Sequence, residues 1–167
     1  LEPFFAGDPA DRSAWQHAIA ARTRSPATDG VVTTLLRAQQ QARGAPSMAS
    51  EAAGRLDDPR AVAVVTGQQA GLFGGPLYTL LKAVSAIRLA RQVEHAHGVP
   101  AVAVFWVDAE DHDLDEIRSC GILDAELQLK TVSLSIPATA PGTPAASVRL
   151  GGEVATAVDA LAAALPE

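Results

Sequence analysis

Two short, nearly continuous apolar runs, AVAVVTG at 61–67 and VPAVAVFWV at 99–107, stand on either side of a long segment of helical rhythm, Pro76 to His97. Runs of that length suit strands buried on both faces. Strand, helix and strand in that order make a βαβ unit, whose strands are parallel and whose ligands bind off the strand carboxyl ends. No other pattern in the chain restricts the fold as much. Pro76 suits the first turn of the helix because its φ is already helical, and Gly98 supplies the stop. Between them the apolar positions are Leu77, Leu80, Leu81, Val84, Ile87 and Leu89, interrupted by Lys82, Arg88, Arg91 and Gln92.

Around this unit the rhythm changes. Residues 1–59 read as an N-terminal helical segment packing on the core. Asp11 caps a first helix through Trp15 and Ile19, punctuated by Pro26 and Gly30; a second runs from Val31 to Gln39 before Gly44 and Pro46; a short third covers Ser47 to Leu56. Residues 60–167 read as the N-terminal part of an α/β core domain. Its later portion predicts strands at Ile122–Leu123, Leu127–Ile136 and Val148–Leu150, a Pro/Ala/Gly-rich loop at 137–147, and an Ala-rich helix from Glu153 to Leu165. Two parallel strands do not finish a doubly wound sheet, so the domain is expected to be incomplete. A first residue of Leu1 rather than Met fits a piece of a longer protein.

Composition excludes several classes. A hydrophobic content of 48% over 167 residues is that of a globular core. A net charge of −6 with no Lys/Arg block argues against a nucleic-acid or acidic-membrane surface. No run approaches the roughly eighteen apolar residues of a membrane span, and Leu1-Glu2-Pro3 does not open a leader, so a cytoplasmic protein is expected. The single cysteine, Cys120, forms no internal disulfide and reads as a small core or strand-end residue. His17, His95 and His97 read as structural.

Both unusual stretches sit at strand ends. TGQQAGLFGGPLY places glycines at 67, 71, 74 and 75 ahead of a helix start. Gly71, Gly74 and Gly75 let the backbone approach a ligand, and unpaired N–H groups at the helix end favour an anion. The alternative is a tight turn that needs glycine for steric reasons alone. The spacing is neither a Walker A loop nor GxGxxG. Gln68 and Gln69, just after the strand, offer donors and acceptors to the crevice, and Tyr78 belongs to the same group of binding candidates. The second strand runs into DAEDHDLDE, Asp108 to Glu116, with six acids and one His. Asp111, His112 and Asp115 stand at helical offsets that suit a divalent ion or a substrate ammonium, and Glu110 is a further binding candidate. A His beside carboxylates suits proton transfer. The alternative is that the acids cap and charge the first turn of a helix through Ile117.

TGQQAGLFGGPLYTLLKAVSAIRLA (66–90) and VPAVAVFWVDAEDHDLDEI (99–117) closely resemble the bacillithiol biosynthesis cysteine-adding enzymes, the BshC family. Phe4-Phe5, Trp15, the LDD at 56–58 and Leu165-Pro166 agree as well, so the resemblance covers essentially the whole chain as the N-terminal portion of a longer protein. It implies a Rossmann-like parallel sheet flanked by helices, with a helical region later in the full-length protein that makes a homodimer. It also implies a ligase that joins cysteine to the amine of glucosaminyl malate, the last step of bacillithiol synthesis. On this reading Gly71, Gly74, Gly75 and the helix start hold an anionic group while Gln68 and Gln69 orient a substrate. Asp111, His112 and Asp113 face an amine, with His112 the proton-transfer residue. No resident metal is assigned, and whether ATP with Mg²⁺ activates the cysteine carboxyl is left open by the sequence.

Two other classes compete: a Rossmann-like module that binds without turnover, and a metal-dependent hydrolase built on the acidic loop. A nicotinamide dehydrogenase, with Asp108 as the ribose acid, fits least because the glycine spacing is wrong.

Overall fold

The computed structural model describes residues 7–22, 30–136 and 139–165. Phe4, Phe5, Pro26, Pro166 and the first two residues of the 137–147 loop lie outside the described residues. The chain is α/β, and it divides into two compact units: one holds the described residues up to Val65 with Ser85–Val104, the other Thr66–Val84 with Phe105 onward.

In the first unit, α1 (Arg12–Arg22) starts where Asp11 accepts hydrogen bonds from the Ser13 amide at 2.8 Å and the Ser13 hydroxyl at 2.7 Å. The first of these bonds satisfies a backbone donor that a helix end leaves orphaned. Helix α2 (Val31–Ala42) begins after Gly30 at φ 71°, and α3 (Ser47–Gly54) passes into a single tight turn at Arg55–Asp57. Strand β1 (Val62–Gln69), helix α4 (Leu77–His97) and strand β2 (Ala101–Asp108) form the expected βαβ unit. Gly98, at φ 65°, donates its N–H to the Glu94 carbonyl at 2.9 Å and ends α4 where the sequence predicts. The core of this unit is Ala90, Val93 and Ala101, packed by Trp15, Ile19, Val62 and Val64.

β1 pairs with β2. The Val62 N–H donates to the Pro100 carbonyl at 2.9 Å and the Ala70 N–H to the Asp108 carbonyl at 3.0 Å. The same offset at both ends is the mark of parallel strands. The expectation that β1 is buried on both faces is corrected. Val62 and Val64 are half-buried, while Ala63 and Val65 are exposed, because nothing among the described residues covers that face. The α4 expectation is corrected in the same way. Ala86, Ala90 and Val93 are the buried positions, and Leu77, Leu80, Leu81, Val84 and Ile87 are exposed.

In the second unit, a four-residue helix α5 (Leu114–Ile117) leads into an antiparallel hairpin of β3 (Ser119–Leu123) and β4 (Leu129–Ser133), registered from Ser119 opposite Ser133 to Leu123 opposite Leu129. The predicted strand from Leu127 starts later because Leu127, at φ 58°, belongs to the turn. Asp124 closes that turn by accepting from the Gln128 N–H at 2.7 Å. Cys120 lies within β3 opposite Val132. Val148–Leu150 is not a strand; a tight turn at Ala145–Ser147 precedes it, and its Ala145 and Ala146 N–H groups are used on the Asp111 and Ala109 carbonyls. Helix α6 (Glu153–Ala164) contributes Ala157 to a second core with Val132 and Leu134, packed by Leu72, Ile122 and Ile136. No described helix is long and apolar enough to cross a membrane.

Candidate functional site

The site residues lie at the carboxyl ends of β1 and β2 and on the first turns of α4, all within the second unit. β1 runs two residues further than expected, so Gln68 and Gln69 are its last residues rather than the start of a loop. Their position on a strand fixes the backbone, and the partners of their side chains are specific. Lys82 donates to the Gln68 Oε1 at 2.8 Å and to the Gly67 carbonyl at 3.3 Å. Gln68 Nε2 donates to the Tyr78 hydroxyl at 3.2 Å and to the Gln69 Oε1. The Gln69 side chain in turn helps hold the Asp111 carboxyl below its ordinary value. Because the Gln69 oxygen is already an acceptor, the amide nitrogen is the group that faces Asp111. The result is a directional relay from the Lys82 ammonium through two amides to a carboxylate. Hydrogen bonds aligned this way polarise one another.

The relay acts on Asp111. Its carboxyl is held below the usual 3.8, first by the Asp113 N–H, which donates to it at 2.9 Å, then by the Gln69 amide, with the His112 N–H and imidazole adding in the same direction. Asp111 is therefore an anion at neutral pH, suited to holding an ammonium rather than exchanging protons.

The glycine stretch is a turn closed on itself. Gly74 donates its N–H to the Gly71 carbonyl and Gly75 to that of Leu72, both at 3.0 Å. Gly74 and Gly75 take φ 91° and 78°, and a methyl on Gly71 would lie 2.9 Å from the Gly75 Cα. The glycines thus meet a steric demand of the turn. The cavity beside it, lined by Gln68, Gln69, Gly71, Gly75, Glu116 and Ser119, measures about 30 Å³. That is room for about one water between these side chains.

The acidic stretch is not one helical face. α5 starts only at Leu114, so Asp111 and His112 precede it and the expected sharing of a helical face with Asp115 is corrected. Asp113 is the cap of α5, its carboxylate accepting from the Glu116 N–H at 3.1 Å, while Asp115 pairs with Arg118 at 3.0 Å. Glu110 is exposed and gives its N–H to the Asp108 carboxylate. His112 is exposed and, with Asp113, lines a separate cavity of about 340 Å³ shared with Arg118 and Thr143. Among the described residues no group of His, Cys, Asp and Glu is placed to hold a metal ion. The structure therefore joins Gln68, Gln69, Tyr78 and Asp111 in one network, sets Gly71 and Gly75 beside it, and places His112 and Asp113 on the neighbouring cavity.

Lys82 is the residue that sequence reading passed over as an interruption of an apolar stripe. The signal was its spacing: four residues after Tyr78, it shares that residue's helix face, and its ammonium lies 5.2 Å from the Tyr78 ring centroid. Thr79 was missed as well; its buried hydroxyl oxygen has no hydrogen-bond partner among the described residues.

The family model described as bacillithiol biosynthesis BshC, N-terminal Rossmann-like domain, matches residues 1–167. A BshC protein of Salinibacter ruber is 36% identical over 98% of this chain and 30% of its own length. One from Oceanobacillus iheyensis is 46% identical over 54% of the chain and 17% of its length. One from Halalkalibacterium halodurans is 60% identical over 41% of the chain and 13% of its length. The names of these relatives provisionally assign them a cysteine ligase activity. The chain thus spans less than a third of the length of these relatives.

Proposed function

This chain belongs to the BshC family of bacillithiol biosynthesis, in its N-terminal Rossmann-like domain, and from that premise we propose that it forms the strand-end part of a ligase site that joins cysteine to the amine of glucosaminyl malate. The observation that carries the reading is that the ends of β1 and β2 are joined, the Ala70 N–H donating to the Asp108 carbonyl at 3.0 Å, with the Gln69 amide near enough to Asp111 to help hold its carboxyl down. It supports a site drawn from the two stretches of sequence that resemble the family most, with His112 on the cavity beside it.

Amide formation makes two demands on protein side chains. The attacking amine must be held and must lose a proton, and the carboxylate must be oriented toward it. Asp111, kept ionised, holds the substrate ammonium. His112, on the same loop and exposed to the larger cavity, takes the proton as nitrogen bonds to the acyl carbon and the bond from that carbon to its leaving oxygen breaks. An amine does not displace hydroxide from a carboxylate, so the cysteine carboxyl enters this step activated as an acyl phosphate or acyl adenylate, whose phosphate or nucleotide departs with that oxygen. Asp113 fixes the loop by capping α5, which makes it a positioning residue. Dimerisation through later parts of the longer protein belongs to the same proposal.

Mass spectrometry of reactions containing cysteine, glucosaminyl malate and ATP with Mg²⁺ tests the activity in the full-length Salinibacter ruber relative. The expected product is the amide, and its absence would sink the reading. Substituting Ala at the position aligned with His112 is expected to lower turnover by about 10²–10⁴-fold with little change in folding. Unchanged turnover would remove His112 from the proton transfer. Thermal shifts of this chain with each substrate alone show whether the crevice binds without the rest of the protein.

A further inference from the structure

Gln68 has little left to offer a ligand. Its oxygen accepts from Lys82, and its amide nitrogen donates to Tyr78 and Gln69. Gln69 is engaged by Gln68 and Asp111. Lys82 is different. An ammonium has three N–H donors, and two of them meet Gln68 and Gly67. Lys82, like several arginines of the chain, makes no ion pair among the described residues. The side chain is held all the same, by two oxygen acceptors and by the Tyr78 ring. Both acceptors are neutral, so the full positive charge is presented in a fixed place at the end of β1.

We propose that Lys82 is the binding residue for a substrate oxyanion, with Gln68 and Tyr78 as the positioning residues that aim its ammonium. The partner is a carboxylate or phosphoryl oxygen, the chemistry an ammonium recognises as a point charge. The choice of oxyanion rests on the ligase reading, in which both substrates carry carboxylates; the binding itself does not. Gln68 serves Lys82 as the relay's first acceptor, so loss of the Gln68 amide leaves the charge in place but lets it wander.

The test is a nuclear magnetic resonance titration of this chain with sodium malate and, separately, with inorganic phosphate at constant ionic strength. Signals are followed at the Gly67 amide, the Gln68 side-chain amide and the Lys82 ammonium. Saturable shifts at these groups are expected. Lys82→Met should weaken binding about tenfold or more, as loss of a charge-assisted hydrogen bond implies, while Lys82→Arg retains most of it. A response to malate alone identifies a carboxylate as the partner, and a response to phosphate alone identifies a phosphoryl group. Failure of both anions to shift the three signals, or equal affinity in wild type and Lys82→Met, overturns the proposal. Binding at Lys82 with no amide product from the full-length relative would sink the ligase reading and leave this one standing.

Discussion

A methyl group placed on Gly67 would lie 2.6 Å from the Trp106 carbonyl oxygen and 3.1 Å from the Trp106 Cβ. The sequence reads Gly67 as the punctuation at the end of a strand, but the neighbouring strand is what requires it. Gly67→Ala is expected to cost about 1–3 kcal/mol, the range for forcing a methyl into packed surroundings. Urea unfolding checks this, and an unchanged midpoint would show that β2 can move aside. Gln69 makes a prediction of a different kind. Replacing it by Leu removes an amide that helps keep Asp111 ionised, so the Asp111 carboxyl should rise toward its ordinary 3.8. A carbon-detected pH titration reads this directly. If the Asp111 titration does not move, the relay ends before the acidic loop.

Helix α4 shows how an element's pattern and its packing can part. Leu77, Leu80, Leu81, Val84 and Ile87 recur at helical spacing and look like the core face, yet Leu77 is 73% and Leu80 61% exposed. The small stripe is the one that is covered, with Ala90 at 3% and Val93 at 4%. Small side chains let a helix lie close on a sheet, and any longer side chain at Ala90 must displace Val93 or Ala101. Ala90→Leu should therefore destabilise by about 1–3 kcal/mol, while Leu80→Gln should stay within about 0.5 kcal/mol. Chemical denaturation of both variants decides it, and the reverse ranking would mean that the leucine stripe is the buried one.

Across the whole molecule, acid is the expected weakness. Asp11, Asp58, Asp111, Asp124 and Glu153 all have carboxyls held below their ordinary values, Asp11 mainly by the Ser13 hydroxyl, Asp58 by Arg60, Asp111 by the Asp113 N–H, Asp124 by the Gln128 N–H and Glu153 by the Gly151 N–H. A depressed carboxyl binds its proton more readily when unfolded, so its stabilisation is complete above the unfolded value and is lost as pH falls through the folded one. Melting temperature should stay level, as far as these five groups govern it, from neutral pH down to the ordinary 4.5 of Glu153 and 3.8 of the aspartates, then fall below that window. A steady fall beginning near neutrality would assign acid sensitivity to other groups. Amino-acid order alone determined the elements whose causes lie within a few residues: the Asp11 cap, the Gly98 stop and the βαβ rhythm that makes the chain α/β. It also placed two unusual loops at adjacent strand ends, since parallel strands bring their carboxyl ends together. The tertiary structure decided what each loop's side chains touch. Gln69 meets Asp111 across the sheet and Lys82 reaches back from α4 to Gln68, contacts between residues distant in sequence that no local pattern encodes. It also decided which stripe of α4 is buried, because burial depends on what packs against a face.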